Sequence, residues 1–266
     1  MNEDKSDLVA QGRMFVDRYN QEFGPVDPKT LQVKFKLGRA LLLDGEYGEA
    51  KEVFSEVLTA QHAYLPENDE QILTSQWHLA SALVILGEFK DSLRLLEHII
   101  EIASFNGVDD LSFPLNKTLP DLARVLFLLG RYGEEVPVRR RILASLVSTR
   151  SLDDPKILEA RINLAWALRG AGENQEALDL DGLNLEELDR YPENRAAILN
   201  LRYNRGIDLI KVGRTNEGEA EVVAAYELIM AELSPDDPLR RTVEPFGAQI
   251  KRYSKQAKSK RPRAPR

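Results

Sequence analysis

Five glycines, Gly45, Gly87, Gly130, Gly172 and Gly213, recur along the 266-residue chain at intervals of 42, 43, 42 and 41 residues, and this period limits the possible folds more than any other feature. Each glycine closes an apolar pattern of helical spacing. A leucine stands four residues before each of them (Leu41, Leu83, Leu126, Leu168, Leu209), and a small residue stands seven before (Gly38, Ala80, Ala123, Ala165, Gly206). A fixed period of this length marks stacked helical units, none of which can bury its apolar face alone. The period therefore predicts an all-α chain read as one continuous array, and it points toward binding rather than chemistry.

Each unit reads as helix A, a tight turn at the glycine, then helix B. Residues 37–58 show apolar positions at helical spacing on both sides of Gly45. Glycine suits the point between the helices because a helix commonly ends on a left-handed residue, which only glycine adopts without a Cβ penalty. The small residues let helix A approach its neighbour closely. The connectors 24–30, 152–155 and 234–238 carry Asp and Pro, which cap and start helices and so open helices A. Residues 7–22, with Leu8, Phe15 and Tyr19, read as a helix B standing alone, and 239–254 as a last A-like helix. Connector 105–118 is the longest, and Pro120 just beyond it is expected to start the third helix A.

At these positions the chain resembles the tetratricopeptide family, most fully in the first repeat, with Leu37, Gly38, Gly45, Tyr47, Ala50 and Phe54. Later copies depart from the pattern at Ser92, Glu135, Asn174 and Gly218. The period exceeds the usual length of about 34 and is similar to the longer-helix subclass typified by kinesin light chains. The three Asp-Pro connectors, Pro137 and Asn163-Leu-Ala165 support that likeness. The resemblance implies a right-handed superhelix of about five helical hairpins with a half-repeat at each end, spanning 1–254, with helices A lining a concave groove.

Composition sets further bounds. Hydrophobic residues at 43% and charged residues at 30% suffice for a packed core. The absence of cysteine excludes disulfides, thiolate metal sites and a cysteine nucleophile. The N-terminus has no signal-like pattern and no run approaches the length of a membrane span, so a cytoplasmic protein without membrane contact is the expectation. The net charge of −7 divides unevenly, because residues 251–266 hold eight Lys or Arg and no acid, leaving −15 on residues 1–250. An acidic body repels nucleic acid, so such binding is expected only through the tail.

No catalytic set is legible. The three histidines, His62, His78 and His98, lie in no metalloprotease pattern, and phosphate-cradling and nucleophile-elbow motifs are missing. The expectation is no enzyme, no cofactor and no metal. His98 and Glu101 share a helix face, read as a solvated pair.

The informative residues lie on helices A. Nine before each glycine the chain has Lys36, His78, Asp121, Asn163 and Asn204, polar in every copy. Six before stand Arg39, Ser81, Arg124, Trp166 and Ile207; ten before stand Phe35, Trp77, Pro120, Ile162 and Tyr203. In relatives of the family, the Asn matching Asn163 and Asn204 bonds a bound peptide's backbone. An extended ligand has free amides that such carboxamides satisfy, and aromatic and Arg anchors dominate binding energy in grooves. The candidate groove is Phe35, Arg39, Trp77, His78, Arg124, Asn163, Trp166, Tyr203 and Asn204. Alternatively the asparagines bond adjacent backbone, and the aromatic residues pack between repeats.

The tail segment 255–266, with Lys258, Lys260, Arg261 and Arg263, is too poor in apolar residues to fold. It screens the acidic body, binds an acidic partner or nucleic acid, or serves as an import signal. The function expected is a non-enzymatic scaffold holding a protein or peptide in the groove. A regulatory sensor for a short signalling peptide or small ligand, and binding through the tail, are the alternatives.

Overall fold

The computed structural model describes residues 3–190, 192–250 and 252–253. The chain forms two compact units, residues 1–131 and 132–266. The first holds α1 (Glu3–Phe23), α2 (Pro28–Asp44), α3 (Tyr47–Gln61), α4 (Glu70–Ile85), α5 (Phe89–Phe105) and α6 (Leu115–Leu128). The second holds α7 (Tyr132–Thr149), α8 (Pro155–Ala171), α9 (Asn174–Leu188), α10 (Arg195–Lys211), α11 (Thr215–Glu232) and α12 (Pro238–Val243). Within each unit, successive helices pack on one another as hairpins. Among the described residues no helix is long and apolar enough to cross a membrane.

The glycine period works as the sequence predicts, through one local device. All five turn glycines have φ between 68° and 92°. The residue after each one donates its N–H to the carbonyl of the leucine four before the glycine: Glu46 to Leu41 at 2.9 Å, Glu88 to Leu83 at 2.8 Å, Arg131 to Leu126 at 2.9 Å, Glu173 to Leu168 at 2.9 Å and Arg214 to Leu209 at 2.8 Å. This reversal satisfies carbonyls that a helix end leaves free. The connectors also act as expected. Asp27, Asp154 and Asp237 each accept from the backbone N–H two residues on, at 2.8 to 2.9 Å, with proline at the next position.

Packing follows from the small residues. A Cβ on Gly38 would lie 2.8 Å from the Phe54 ring, which is fully buried between α2 and α3. Phe54 joins Leu37, Leu41, Ala50, Ile72 and Leu83 in the core of the first unit, and burial of a side chain this size stabilises by about 2 to 3 kcal/mol. In the last hairpin Gly218 replaces the expected alanine because α10 and α11 touch backbone to backbone: a Cβ on Gly218 would collide with the Gly206 carbonyl oxygen and stand 2.8 Å from the Ile210 nitrogen.

One expectation changes. Pro120 lies inside α6 and does not open it, since the helix begins at Leu115. Leu115, Thr118, Leu119 and Leu122 are buried, and this stripe draws the helix upstream. The hydrogen bond lost at the proline nitrogen would have gone to the carbonyl of Asn116, an exposed residue. Glu135, the largest departure from the family pattern, is buried in α7 and is held there by Arg139 Nε at 2.9 Å. Burial foremost pushes its carboxyl above the usual range, while Arg139 opposes the shift.

Candidate peptide-binding faces

The helices A of the first unit, α2, α4 and α6, gather an aromatic cluster. Phe35 of α2 meets Phe54 edge-on with ring centroids 5.5 Å apart, and meets His78 of α4 at 5.1 Å. The His78 imidazole stacks on Phe54 at 5.2 Å and an angle of 11°, and the Trp77 ring lies tilted beside it at 4.7 Å. Burial first, and then the neighbouring Arg39 guanidinium, lower the His78 pKa to about 4. At neutral pH this ring is therefore an uncharged packing element. Arg39 is exposed, while Trp77 is half-buried and donates Nε1 to Asp121 Oδ2 of α6 at 2.8 Å. The same carboxylate lies 3.5 Å from the exposed Arg124. The structure thus ties Trp77 to the next repeat, and Asp121, a polar ladder position, serves as the tie.

In the second unit the ladder residues separate. Asn163 of α8 is half-buried, and among the described residues its carboxamide makes no hydrogen bond. One turn on, Trp166 is 45% exposed, with the Arg169 guanidinium 5.8 Å from its ring centroid. Asn204 of α10 donates to Asn200 Oδ1 at 3.1 Å. Tyr203 packs against the buried group Leu199, Ile229 and Val243, and burial raises its phenol pKa above the ordinary value. Lys258, Lys260, Arg261 and Arg263 lie outside the described residues. His98 pairs away from Glu101: its ring nitrogens face Gln76 Oε1 at 3.3 Å and Glu67 Oε2 at 3.5 Å. Among the described residues no group of three His, Cys, Asp or Glu is placed to hold a metal ion.

Sequence reasoning missed a buried ionic group under α8. Arg169 reaches back to Asp181 of α9 and also bonds Asp208 of α10 at 2.7 Å. Both carboxylates have zero exposure. Burial is the leading cause that raises the Asp181 pKa to about 6, opposed by Arg169 and assisted by Asp208; burial raises Asp208 as well. Asn184, one turn along α9, is buried with both carboxamide atoms unpartnered. The signal was present in the repeat itself. Nine residues after the glycine, the first, second and fifth copies have Phe54, Leu96 and Val222 where the fourth has Asp181. Three before it, the other copies have Leu42, Val84, Phe127 and Ile210 in place of Arg169.

Comparisons with known proteins agree with this geometry. Residues 158–180, which run from α8 through the Gly172 turn into α9, match the tetratricopeptide repeat model. No curated protein matches the sequence. Among solved structures, a kinesin light chain-like protein of Podospora anserina with nearly identical tetratricopeptide-like repeats superposes with a TM-score of 0.62 at 21% identity, covering 78% of this chain and 99% of that one. BtubC of P. vanneervenii gives 0.58 at 16% identity, with 88% and 94% covered. YrrB, described as a tetratricopeptide protein with an unusual peptide-binding site, gives 0.58 at 15% identity, with 86% and 97% covered. The helical hairpins of this chain have the tetratricopeptide-type fold, and the one spanning residues 158–180 matches the repeat model.

Proposed function

We propose that this protein is a non-enzymatic interaction module whose helices A hold an extended peptide or a helix of a protein partner. The observation that carries the reading is the Asn163 carboxamide on α8: half-buried, without an internal partner among the described residues, and one turn from the half-exposed Trp166. A half-buried, unpartnered carboxamide of this kind can donate to and accept from one peptide unit of an extended ligand. A rigid indole beside it supplies apolar contact at low entropic cost. The peptide-binding description of YrrB, a neighbour in fold, supports the reading by analogy. In the first unit Phe35, Arg39, Trp77, His78 and Arg124 form the corresponding face, with Arg39 offering a free cation to a ligand carboxylate.

The test is affinity capture with mass spectrometry on the full chain, on Asn163→Ala/Trp166→Ala, and on a chain ending at residue 250. Neither side chain of the pair makes a buried hydrogen bond, so the double variant should keep its helical circular dichroism. Loss of one partner with the double variant supports the face on α8. Partners that survive it and vanish with the truncation would move the function to the basic segment. A pronounced fall of that binding with salt would then mark it as electrostatic, and its loss on nuclease treatment would identify a nucleic acid.

A further inference from the structure

Helix α2 packs on α3 and α4 with Phe35 edge-on against two rings, Phe54 and His78, that stack on each other. One 42-residue period earlier, the positions of Phe54 and His78 are taken by Gly12 of α1 and Lys36 of α2. Both line an open cleft of about 470 Å³ between α1 and α2. Its floor is closed by helix contact, since a Cβ on Gly12 would stand 3.0 Å from Leu37 Cδ1. Its walls are apolar and uncovered: Leu8 is 50% exposed, Phe15 43% and Leu43 63%. Three large apolar side chains around one concavity mark a surface built for contact.

The rim of this cleft gives the charge of the occupant. Arg13, Arg18, Arg94 and Arg124 in this unit each have a carboxylate partner. Lys36 and Arg39, which line the cleft and are exposed, have none among the described residues. Two unpaired cations beside an apolar slot select against a basic ligand such as the chain's own 251–266 segment, which holds eight cations and no acid.

We propose that the α1/α2 cleft is a docking site for an acidic amphipathic helix of a partner protein. It lies as α2 lies on α3 and α4, with a large apolar side chain over Gly12 and carboxylates against Lys36 and Arg39. This is helix-in-groove recognition, read by anchors at turn spacing. It goes beyond the reading of Asn163 and Trp166, stands on residues of the first unit alone, and shares only Arg39 with the first-unit face described above.

The experiment uses the full chain and two labelled synthetic peptides, followed by fluorescence anisotropy. One peptide copies residues 28–44, and the other is the same with Lys34, Lys36 and Arg39 all replaced by Glu. The acidic peptide should bind and the unmodified one should not. Phe15→Glu should weaken binding of the acidic peptide roughly tenfold or more, and the exposed-charge variant Lys36→Glu/Arg39→Glu should do so without change in helical circular dichroism. The charge variant should also gain affinity for the unmodified peptide. Binding that ignores both variants, or the absence of binding by the acidic peptide, overturns the proposal. So does a chain that sediments as a dimer and becomes a monomer with Phe15→Glu, because the cleft then belongs to a second copy.

Discussion

Replacing Asp181 by asparagine should stabilise this protein at neutral pH, although it removes one half of an ion pair. Asp181 and Asp208 are both without exposure and share one guanidinium, Arg169, so the buried group carries one negative charge more than positive. Desolvation exceeds the attraction of Arg169 and lifts the Asp181 pKa from the ordinary 3.8 to about 6. The sign follows from linkage. A raised folded-state value means that the native state binds the proton more tightly, so the stability linked to this group is complete below about pH 3.8 and is lost as pH rises through about 6. At about 1.4 kcal/mol per pH unit, the gap between 3.8 and about 6 corresponds to about 3 kcal/mol at pH 7.5. Asparagine keeps an acceptor oxygen for Arg169, leaves Asp208 as its single anion, and never ionises.

The assay is urea unfolding followed by the fluorescence of Trp166, whose ring lies beside Arg169, with Trp77→Phe as background in both proteins. Asp181→Asn should raise the unfolding free energy by up to about 3 kcal/mol at pH 7.5, and the difference should shrink toward zero near pH 4. A variant less stable than the parent at pH 7.5, or a difference that does not change with pH, would refute the reasoning. The first result would mean that the ion pair with Arg169 outweighs the cost of burying the charge, and the second that the two effects cancel.

The converse substitution, Arg169→Met, strands two buried carboxylates and should cost about 3 to 5 kcal/mol in the same assay. Gly45→Ala meets no atom within 4 Å, so its penalty is that of the left-handed backbone at φ 92° alone, about 1 to 2 kcal/mol by denaturant unfolding. His78 should titrate near pH 4 in an NMR pH series. Because its folded value is depressed, the stability linked to it is complete above about pH 6.5 and lost as pH falls through about 4; a midpoint near 6.5 would contradict its stacking among Phe35, Phe54 and Trp77. Asp121→Ala should cost about 1 kcal/mol by leaving the Trp77 N–H without its acceptor, and should shift the Trp77 emission.

The polar ladder shows how far one sequence reaches into a site. Asp121 and Asn163 occupy the same position relative to their glycines, yet Asp121 is engaged with Trp77 while Asn163 is open. Tyr203 stands at the same register as Phe35 but turns into the group formed by Leu199, Ile229 and Val243. Register assigns each residue to a helix face. It does not assign the partner, because the partner comes from a helix some forty residues away.

What the sequence determined by itself is the hairpin and its period: the five glycines, the leucines whose carbonyls close the turns, and the Asp-Pro starts at 27, 154 and 237. Those choices rest on backbone conformation and on hydrogen bonds spanning two to five residues, so a short window of sequence contains them entirely. Only the tertiary structure decided that Arg169 gathers Asp181 and Asp208 in the interior, that His78 is a neutral stacking ring, and that the α1/α2 cleft stays open with two free cations. Burial and charge depend on what two or three separate helices bring to one point, and desolvation at that point sets the charge state of each group.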